Sequence, residues 1–176
     1  MQNYNNATTS AIGVAVITNN CAFVIDKTAT NSNNSIYYGG YNKDLSSTAV
    51  TNTNASTAKL DFDGENNTDR IISACTGYND GYVTGAAAAE ACRSAFNGKG
   101  YLGSLGEWQE AYNNKTDINN MITKIGGTAF NNSYYWTSTH YNASSISWEL
   151  YWNDGSALNF NRRNTYYVRA FRALSI

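Results

Sequence analysis

The sequence has no proline, a single histidine and three cysteines, and charged residues make up only 14% of its 176 positions. The lack of proline is unusual for a chain so rich in turn-forming residues. Because His140 is the only histidine and no carboxylates cluster around it in the sequence, we do not expect a zinc site. Cys21, Cys75 and Cys92 show no C-x-x-C spacing, so we expect buried free thiols or at most one disulfide bond.

A near-neutral charge and the absence of long apolar runs exclude two kinds of partner. The net charge is −1, whereas a nucleic-acid-binding protein needs a basic face. The longest apolar run, residues 11–18, is much shorter than the roughly 20 residues needed to span a bilayer, so we expect no membrane insertion. No basic segment precedes this run, which argues against a secretory signal peptide.

The length of the chain favours one domain. We expect residues 1–10 to form a flexible N-terminal segment and residues 11–176 to form a single domain. Hydrophobic residues make up 42% of the sequence, and asparagine, serine, threonine and tyrosine supply most of its polarity. These polar residue types are typical of surfaces that form adaptable hydrogen bonds with a ligand.

The sequence contains no recognisable catalytic arrangement. A Ser-His-Asp triad would have to use His140, which lies in a predicted loop where nothing orients it. Glycines at 98, 100, 103 and 106 match the G-x-G-x-x-G pattern, but no apolar strand precedes them, so we expect no phosphate-binding loop. We therefore predict that the protein is not an enzyme and holds no cofactor.

The acidic segment 61–69 suggests a calcium loop only superficially. Gly64 comes too early for an EF-hand, and the bidentate glutamate at the twelfth position is missing. We predict instead a turn followed by a helix that is capped by Thr68, with Asp69 stabilising its first turn.

Hydrophobic patterning predicts strands early and late in the chain, with helices between them. Residues 11–17 and 21–25 are expected to form a central β-hairpin, and residues 28–58 to form mostly ordered loop. Short helices are expected at 69–76 and 85–96. Ser104 and Glu107 form a capping box that begins a helix with Leu105, Trp108 and Tyr112 on its buried side. A further helix opens at 117–118, presents Ile118, Met121, Ile122 and Ile125 on one face and ends at Gly126-Gly127, after which only strands are expected.

The segment 134–173 carries the strongest pattern. Trp148, Leu150 and Trp152 alternate with polar residues, which predicts a strand with one buried face. The Asp154-Gly155 dipeptide that follows predicts a two-residue type I′ turn, which would pair Trp152 with Ala157 and Glu149 with Phe160. The outward face would then hold Tyr151, Leu158 and Phe160 together with Glu149, Asn153 and Ser156. Such clustered apolar groups indicate a ligand-binding surface, although isolated surface apolar residues are also common.

Several motifs in one order resemble a known family. They are GVAVITNNCAFVI, EACRSAF, GYLGSLGEWQEAYNNK, INNMITKIGGT, YWTST, SWELYWNDG and YVRAFRAL. The chain resembles the C-type-lectin-like variable proteins of diversity-generating retroelements, and the related C-terminal lectin-like domain of bacterial collagen-like adhesins. The resemblance extends from about Ala11 onward and is clearest from Gly100 to Leu174.

The resemblance implies an α+β, C-type-lectin-like fold with mixed or antiparallel sheets, two or more short helices and long ordered loops. It also implies a hypervariable ligand surface within 134–167, displayed on a phage particle or a bacterial cell surface and directed at a protein or glycan on a cell. The implied scaffold residues are Trp136, Thr137, Ser138, Thr139, Trp148, Leu150, Trp152, Gly155, Ala157, Val168 and Arg169. The implied ligand-binding residues are His140, Asn142, Ser144, Ser145, Ser147, Glu149, Tyr151, Asn153, Ser156, Leu158, Phe160, Arg163, Asn164 and Tyr166.

Three alternatives accompany this hypothesis. The first is a glycan-binding adhesin module of fixed specificity. The second is calcium-dependent sugar binding, because Trp152-Asn153-Asp154 reproduces a triplet of calcium-dependent lectins. The chain lacks the Glu-Pro-Asn-like loop of those lectins, and we interpret Asn153-Asp154 as a turn. The third is an oxidase of the formylglycine-generating type, which would need Cys75 and Cys92 as a reactive pair.

Overall fold

The computed structural model describes residues 10–174. The predicted flexible segment lies outside this range except for Ser10. The described range contains nine strands: β1 (Gly13–Ile17), β2 (Ala22–Asp26), β3 (Ile36–Tyr37), β4 (Tyr101–Leu102), β5 (Tyr134–His140), β6 (Ile146–Tyr151), β7 (Ala157–Asn161), β8 (Thr165–Tyr166) and β9 (Ala170–Ala173). It also contains five helices: α1 (Ala55–Ala58), α2 (Gly64–Cys75), α3 (Ala87–Gly98), α4 (Leu105–Asn113) and α5 (Lys115–Lys124).

The strands form three antiparallel sheets, and the predicted α+β class is confirmed. One sheet has the order β1-β2-β9-β4, so the last long strand closes onto the N-terminal hairpin. A second sheet has the order β5-β6-β7, and β3 pairs with β8 in a third. The chain from Gly127 onward contains only strands and turns within the described range, as predicted.

The N-terminal hairpin forms as predicted, but its position is partly wrong. Gly13 pairs with Asp26 and Ile17 with Ala22, so Thr18–Asn20 lie in the connection between the strands. We predicted that both strands would be central, whereas β1 is at the edge of its sheet and Ile17 is 63% exposed. Of the two hairpin strands, only β2 lies between two neighbouring strands. Apolar residues on both faces of a strand do not by themselves distinguish an edge from the centre.

Two large hydrophobic clusters form most of the core of the described residues. One joins the four-stranded sheet to α4 and α5, with Phe23 stacked on Phe171 at 4.6 Å between ring centroids. The other is built on α2 and α3, whose Cys75 and Cys92 are fully buried. The alanines of α3 allow close packing, because they bring little side-chain volume to the contact.

The start of α2 differs from the prediction. The helix begins at Gly64, and Thr68 lies buried inside it rather than at its cap, with its hydroxyl donating to the Gly64 carbonyl at 2.7 Å. A side chain at Gly64 would clash, because its Cβ would lie 2.2 Å from Glu107 Oε2. The acidic segment is structural: Asp61 accepts hydrogen bonds from Asn67 at 3.0 Å and from Thr139 at 2.7 Å, which ties α2 to β5.

The predicted capping box at the start of α4 is confirmed. The Ser104 amide donates to Glu107 Oε2 at 2.8 Å, and the Tyr101 hydroxyl donates to Glu107 Oε1 at 2.8 Å. Leu105 and Trp108 are fully buried and Tyr112 is partly exposed. The following helix begins at Lys115, two residues before the predicted start, and buries Ile118 and Ile122, while Met121 is 42% exposed and does not belong to the buried face.

Glu107 makes the stability of the fold depend on pH. Its burial raises its pKa from an ordinary value of 4.5 to about 7, although the Ser104 and Tyr101 hydrogen bonds favour the charged form. The folded protein therefore keeps a proton that the unfolded chain releases above about pH 4.5. This stabilising contribution is full below pH 4.5 and is lost as the pH rises through 7.

We expect the free energy of unfolding, measured by urea denaturation, to fall by up to about 3 kcal/mol between pH 4.5 and pH 8 through this group. The Glu107→Gln variant should be less stable at pH 4.5 but should show a flatter pH profile. The exposed Glu65 on α2 provides the control, since Glu65→Gln should leave the profile unchanged. An identical slope in Glu107→Gln and the parent protein would contradict the assignment.

Candidate functional site

The C-terminal hairpin forms, but its register differs from the predicted one by two residues. Glu149 faces Leu158, where we predicted Phe160, and Ala157 faces Leu150, where we predicted Trp152. A type I′ turn needs positive φ at two central residues, whereas in the turn only Gly155 has one, at 78°. The Gly155 amide donates to the Tyr151 carbonyl at 2.8 Å, so residues 152–155 all belong to the turn.

The error in register leaves the assignment of the two faces intact, because a shift of two residues returns every side chain to its own side of the strand. Trp148, Leu150 and Trp152 are buried as predicted, with exposures of 3%, 0% and 0%. The Phe130 ring stacks on the Trp152 indole with 4.3 Å between ring centroids. The Trp108 indole packs edge-on against Trp152, with 6.0 Å between centroids. The indole side of the hairpin is therefore core.

The opposite side carries a cluster of four partly exposed rings around Tyr134: Tyr134, Tyr151, Phe160 and Tyr166, which we call the aromatic face. Tyr134 stacks on Tyr151 at 4.5 Å and lies 5.3 Å from both Phe160 and Tyr166. Phe160 and Tyr166 are 5.2 Å apart. Leu158 is also partly exposed on this side. Aromatic pairs at these separations hold one another in place, so the rings form a preorganised contact surface.

The chain itself covers part of this side. β7 is one edge of the three-stranded sheet, yet Tyr167 pairs with Tyr135 on β5 at the other edge. Residues 162–166 must therefore cross the sheet. Arg162 contacts Ser147 and Tyr166 packs on Trp136 at 5.0 Å, which shows that the crossing runs over the face of Ser147 and Glu149.

This crossing corrects three of the predicted site residues. His140, Ser147 and Glu149 were expected at the ligand surface, but each is 0% exposed. His140 also ends strand β5 rather than lying in a loop. The hairpin pattern alone could not reveal this, because the covering residues come from a later part of the chain and from the segment around Tyr38.

The covered region is a polar network. The Tyr38 hydroxyl and His140 Nε2 share a hydrogen bond of 3.0 Å. Arg162 donates from Nε to Ser147 Oγ at 2.9 Å and from a terminal nitrogen to the Asn142 carbonyl at 3.0 Å. Burial, and then the Arg162 guanidinium, hold the pKa of His140 well below its usual range, so the imidazole is neutral at physiological pH. A neutral, fully enclosed histidine beside an arginine serves here as a structural hydrogen-bonding group.

Glu149 lies on the same side of β6, between Ser147 and Tyr151 along the strand. Trp136 faces it from β5 and Leu158 from β7. Neither carboxyl oxygen has a hydrogen-bond partner among residues 10–174. Burial raises the pKa of Glu149 well above its usual value. The Phe160 amide favours the charged form slightly, although its geometry falls short of a hydrogen bond. Glu149 is accordingly a neutral, unpartnered carboxylic acid.

The remaining predicted residues lie at the two ends of this side. Asn142 organises the β5–β6 loop, where its side-chain oxygen accepts from the Ser145 and Ile146 amides at 2.8 and 2.9 Å. The loop is partly exposed and includes Ser144 and Ser145. At the opposite end, Asn153 is exposed and Ser156 is partly exposed in the β6–β7 turn. The interpretation of Asn153-Asp154 as a turn is confirmed.

Arg163 and Asn164 are exposed in the turn between β7 and β8. The Arg163 guanidinium lies 3.9 Å from the Tyr41 ring centroid and 4.8 Å from that of Tyr82. Asn164 donates to the Tyr166 hydroxyl at 3.2 Å, which joins this turn to the aromatic face. The structure thus brings Tyr151, Leu158, Phe160 and Tyr166 together and places the loop residues around them.

Sequence reasoning missed three aromatic members of this surface. Tyr134 belongs to the aromatic face, and Tyr41 and Tyr82 flank Arg163. The only available signal was the abundance of tyrosine, with 14 in the chain. Tyr41 and Tyr82 lie far from the hairpin in sequence, and only the fold brings them to Arg163.

Other kinds of site find little support in the described residues. Among residues 10–174, no group of three or more histidine, cysteine or acidic side chains is placed to hold a metal ion. All three cysteines are free, and burial raises the pKa of both Cys75 and Cys92. A raised pKa disfavours the thiolate that a reactive cysteine needs.

Comparison of the sequence with models of known protein families found no match, and comparison with functionally characterised proteins found none either. The helices in residues 10–174 are all too short or too polar to cross a membrane.

Proposed function

We propose that the protein is a ligand-binding protein of the C-type-lectin-like type, whose aromatic face and adjoining loops recognise a protein or glycan on a cell surface. The single observation that supports this most is the aromatic face. Four packed, partly exposed rings on a rigid sheet are the kind of anchor that dominates binding energy at interfaces. Around them lie exposed asparagine, serine and arginine side chains that supply adaptable hydrogen bonds.

The proposal includes diversification by a retroelement. Its support is the contrast in burial between two residue sets. Of the implied scaffold residues, all but the partly exposed Ala157 are buried. Of the implied variable residues, eleven are at least partly exposed: Asn142, Ser144, Ser145, Tyr151, Asn153, Ser156, Leu158, Phe160, Arg163, Asn164 and Tyr166. Exposed positions tolerate substitution with little effect on stability, which diversification requires.

A glycan-binding adhesin module of fixed specificity uses the same surface and is the alternative. The gene neighbourhood separates the two. A nearby reverse transcriptase, with a second copy of codons 134–167 that differs mainly at adenines, favours diversification. Related genes that keep the same residues at the eleven positions favour fixed specificity. In both cases we propose display on a phage particle or a bacterial cell surface.

Replacing Tyr151, Phe160 and Tyr166 together by alanine should abolish binding to the glycans or bacterial cells that the parent protein recognises. The measurement is binding of fluorescently labelled protein to a glycan array and to a panel of cells. Because each of the three rings packs on Tyr134, and Phe160 also packs on Tyr166, we expect a loss of about 1–3 kcal/mol in stability, with the variant still folded at 20 °C.

The control replaces three exposed apolar residues elsewhere, Ile17, Leu60 and Met121, by alanine. This variant should bind as the parent does. If the aromatic variant is folded and binds normally, the proposed surface is wrong. Should the triple change prevent folding, Tyr151→Ser alone provides the same comparison with one ring removed.

A further inference from the structure

Glu149 is the group on this side of the sheet that the fold leaves without a role. Its side chain is fully enclosed, and its oxygens have no hydrogen-bond partner within the described residues. Burying a carboxyl group without a compensating hydrogen bond destabilises a protein substantially. A hydrophobic residue at position 149 would avoid this loss of stability. The presence of a carboxyl group therefore indicates a binding partner from outside the folded chain.

The nearby cation does not supply that partner. The Arg162 guanidinium donates to Ser147 and to the carbonyls of Asn142 and Ala143, at 2.9 to 3.5 Å. Arg162 therefore stabilises the β5–β6 loop rather than pairing with Glu149. Ser147 accepts from Arg162, and Trp136 donates its ring N–H to the Ile36 carbonyl at 2.9 Å. The neighbours of Glu149 along and across the sheet are thus either apolar or already hydrogen-bonded to other groups.

The aromatic face provides the remaining elements of a cation site. Tyr151 is the next residue on the same side of β6, and its ring stacks on Tyr134. Burial, and then the charge that Glu149 carries when it is ionised, raise the hydroxyl pKa of Tyr166, so Glu149 lies within electrostatic reach of the aromatic face. Ring faces of tyrosine and phenylalanine attract an ammonium group within about 6 Å. A buried carboxylate behind such rings strengthens that attraction, because a desolvated charge interacts strongly.

We propose that the aromatic face and Glu149 together bind an alkylammonium group, such as a lysine side chain of a protein ligand. The ammonium group lies against the rings, and Glu149, which is neutral in the free protein, releases its proton to solvent on binding and becomes the counter-charge. This inference rests on the proposed function, since it assigns ligand chemistry to the same surface. Tyr134 and Tyr151 are partly exposed, so part of each ring can be reached from solvent.

The test uses n-butylammonium chloride as the probe and n-butanol as its neutral analogue, at constant ionic strength. Binding is followed by the ¹H–¹⁵N chemical shifts of the whole protein. We expect butylammonium to shift amides of β5, β6 and β7, with a dissociation constant about tenfold lower than that of butanol. Glu149→Gln preserves the shape of the side chain and should remove this preference, while the protein stays folded and is at least as resistant to urea.

The matched control is Glu65→Gln, which removes a carboxylate that is exposed on α2 and should leave the preference intact. Equal affinity for butylammonium and butanol in the parent protein would overturn the inference, as would an undiminished preference in Glu149→Gln. If Glu149→Gln does not fold, Glu149→Met replaces it in the same titration. The titration and the cell and glycan assay test different claims. If the aromatic variant loses binding to cells or glycans but the parent protein shows no preference for butylammonium, the inference is refuted and the proposed function is still supported.

Discussion

Trp152→Ala is expected to lower the free energy of unfolding by about 3–5 kcal/mol, the usual range for removing a fully buried tryptophan. The indole is 0% exposed and has the rings of Phe130, Trp108 and Tyr112 as neighbours, with centroids 4.3 to 6.0 Å away. Trp108 and Tyr112 are fixed on α4 and Phe130 lies in the segment before β5, so the rings cannot close together over the space that the indole leaves. Urea denaturation followed by circular dichroism measures the effect.

The adjacent residue provides the control for Trp152. Tyr151 is partly exposed on the other side of the hairpin, so Tyr151→Ala should reduce stability by only about 1 kcal/mol, from its contact with Tyr134. The contrast between neighbours tests which side of the hairpin is core. Equal losses, or a larger loss for Tyr151, would show that the faces have been assigned wrongly.

Arg162→Ala is expected to reduce stability by about 3–4 kcal/mol, because one substitution removes several charge-assisted hydrogen bonds inside the protein. Arg162 is fully buried and bridges Ser147 on β6 to the carbonyls of Asn142 and Ala143. Without it those acceptors lose their donor. We also expect faster hydrogen exchange at the amides of Ser145 and Ile146, which are held within the same loop.

Arg163 is the matched control, since it is the next residue and also arginine but is exposed between Tyr41 and Tyr82. Arg163→Ala should change stability by less than about 1 kcal/mol, the range for an exposed cation–π contact. Arg162→Lys keeps the charge, but its ammonium group cannot replace a planar guanidinium that donates to acceptors in different directions. Most of the loss of stability should therefore remain. A stability close to that of the parent in Arg162→Ala would mean that the crossing segment is not held by this residue.

Local patterns in the sequence predicted much of the fold. The capping box at Ser104 and Glu107, the N-terminal hairpin and the buried indoles were all found from spacing alone. Each depends on interactions between residues close together in the chain, or on a periodicity that one buried face imposes. The start of α2 was missed for the opposite reason. The helix begins at Gly64, where Glu107 from a distant part of the sequence leaves no room for a side chain, and no local signal reveals that contact.

The candidate site was predicted only in part, and the reason is topological. The alternation in β6 correctly put Tyr151 on the side away from the indoles, and the hairpin pairing correctly put Leu158 and Phe160 of β7 on that same side. The same alternation placed Ser147 and Glu149 beside them, where the chain crosses after β7 and covers both. Tyr134 was overlooked because its pairing with Tyr151 is a contact between strands that no local signal encodes.

By itself, the sequence determined the character of this protein: an α+β chain with few charges, indoles directed into the core and tyrosine, asparagine and serine left for the surface. Periodicity decides this, since a strand with one buried face has to alternate its side chains. Only the tertiary structure decided which outward residues reach solvent. The return of the chain from β7 to the far edge of β5, together with the segment around Tyr38, encloses His140, Ser147 and Glu149. It leaves the aromatic face partly open, because the cover lies over one end and the middle of the sheet and spares the end at Tyr134 and Tyr151.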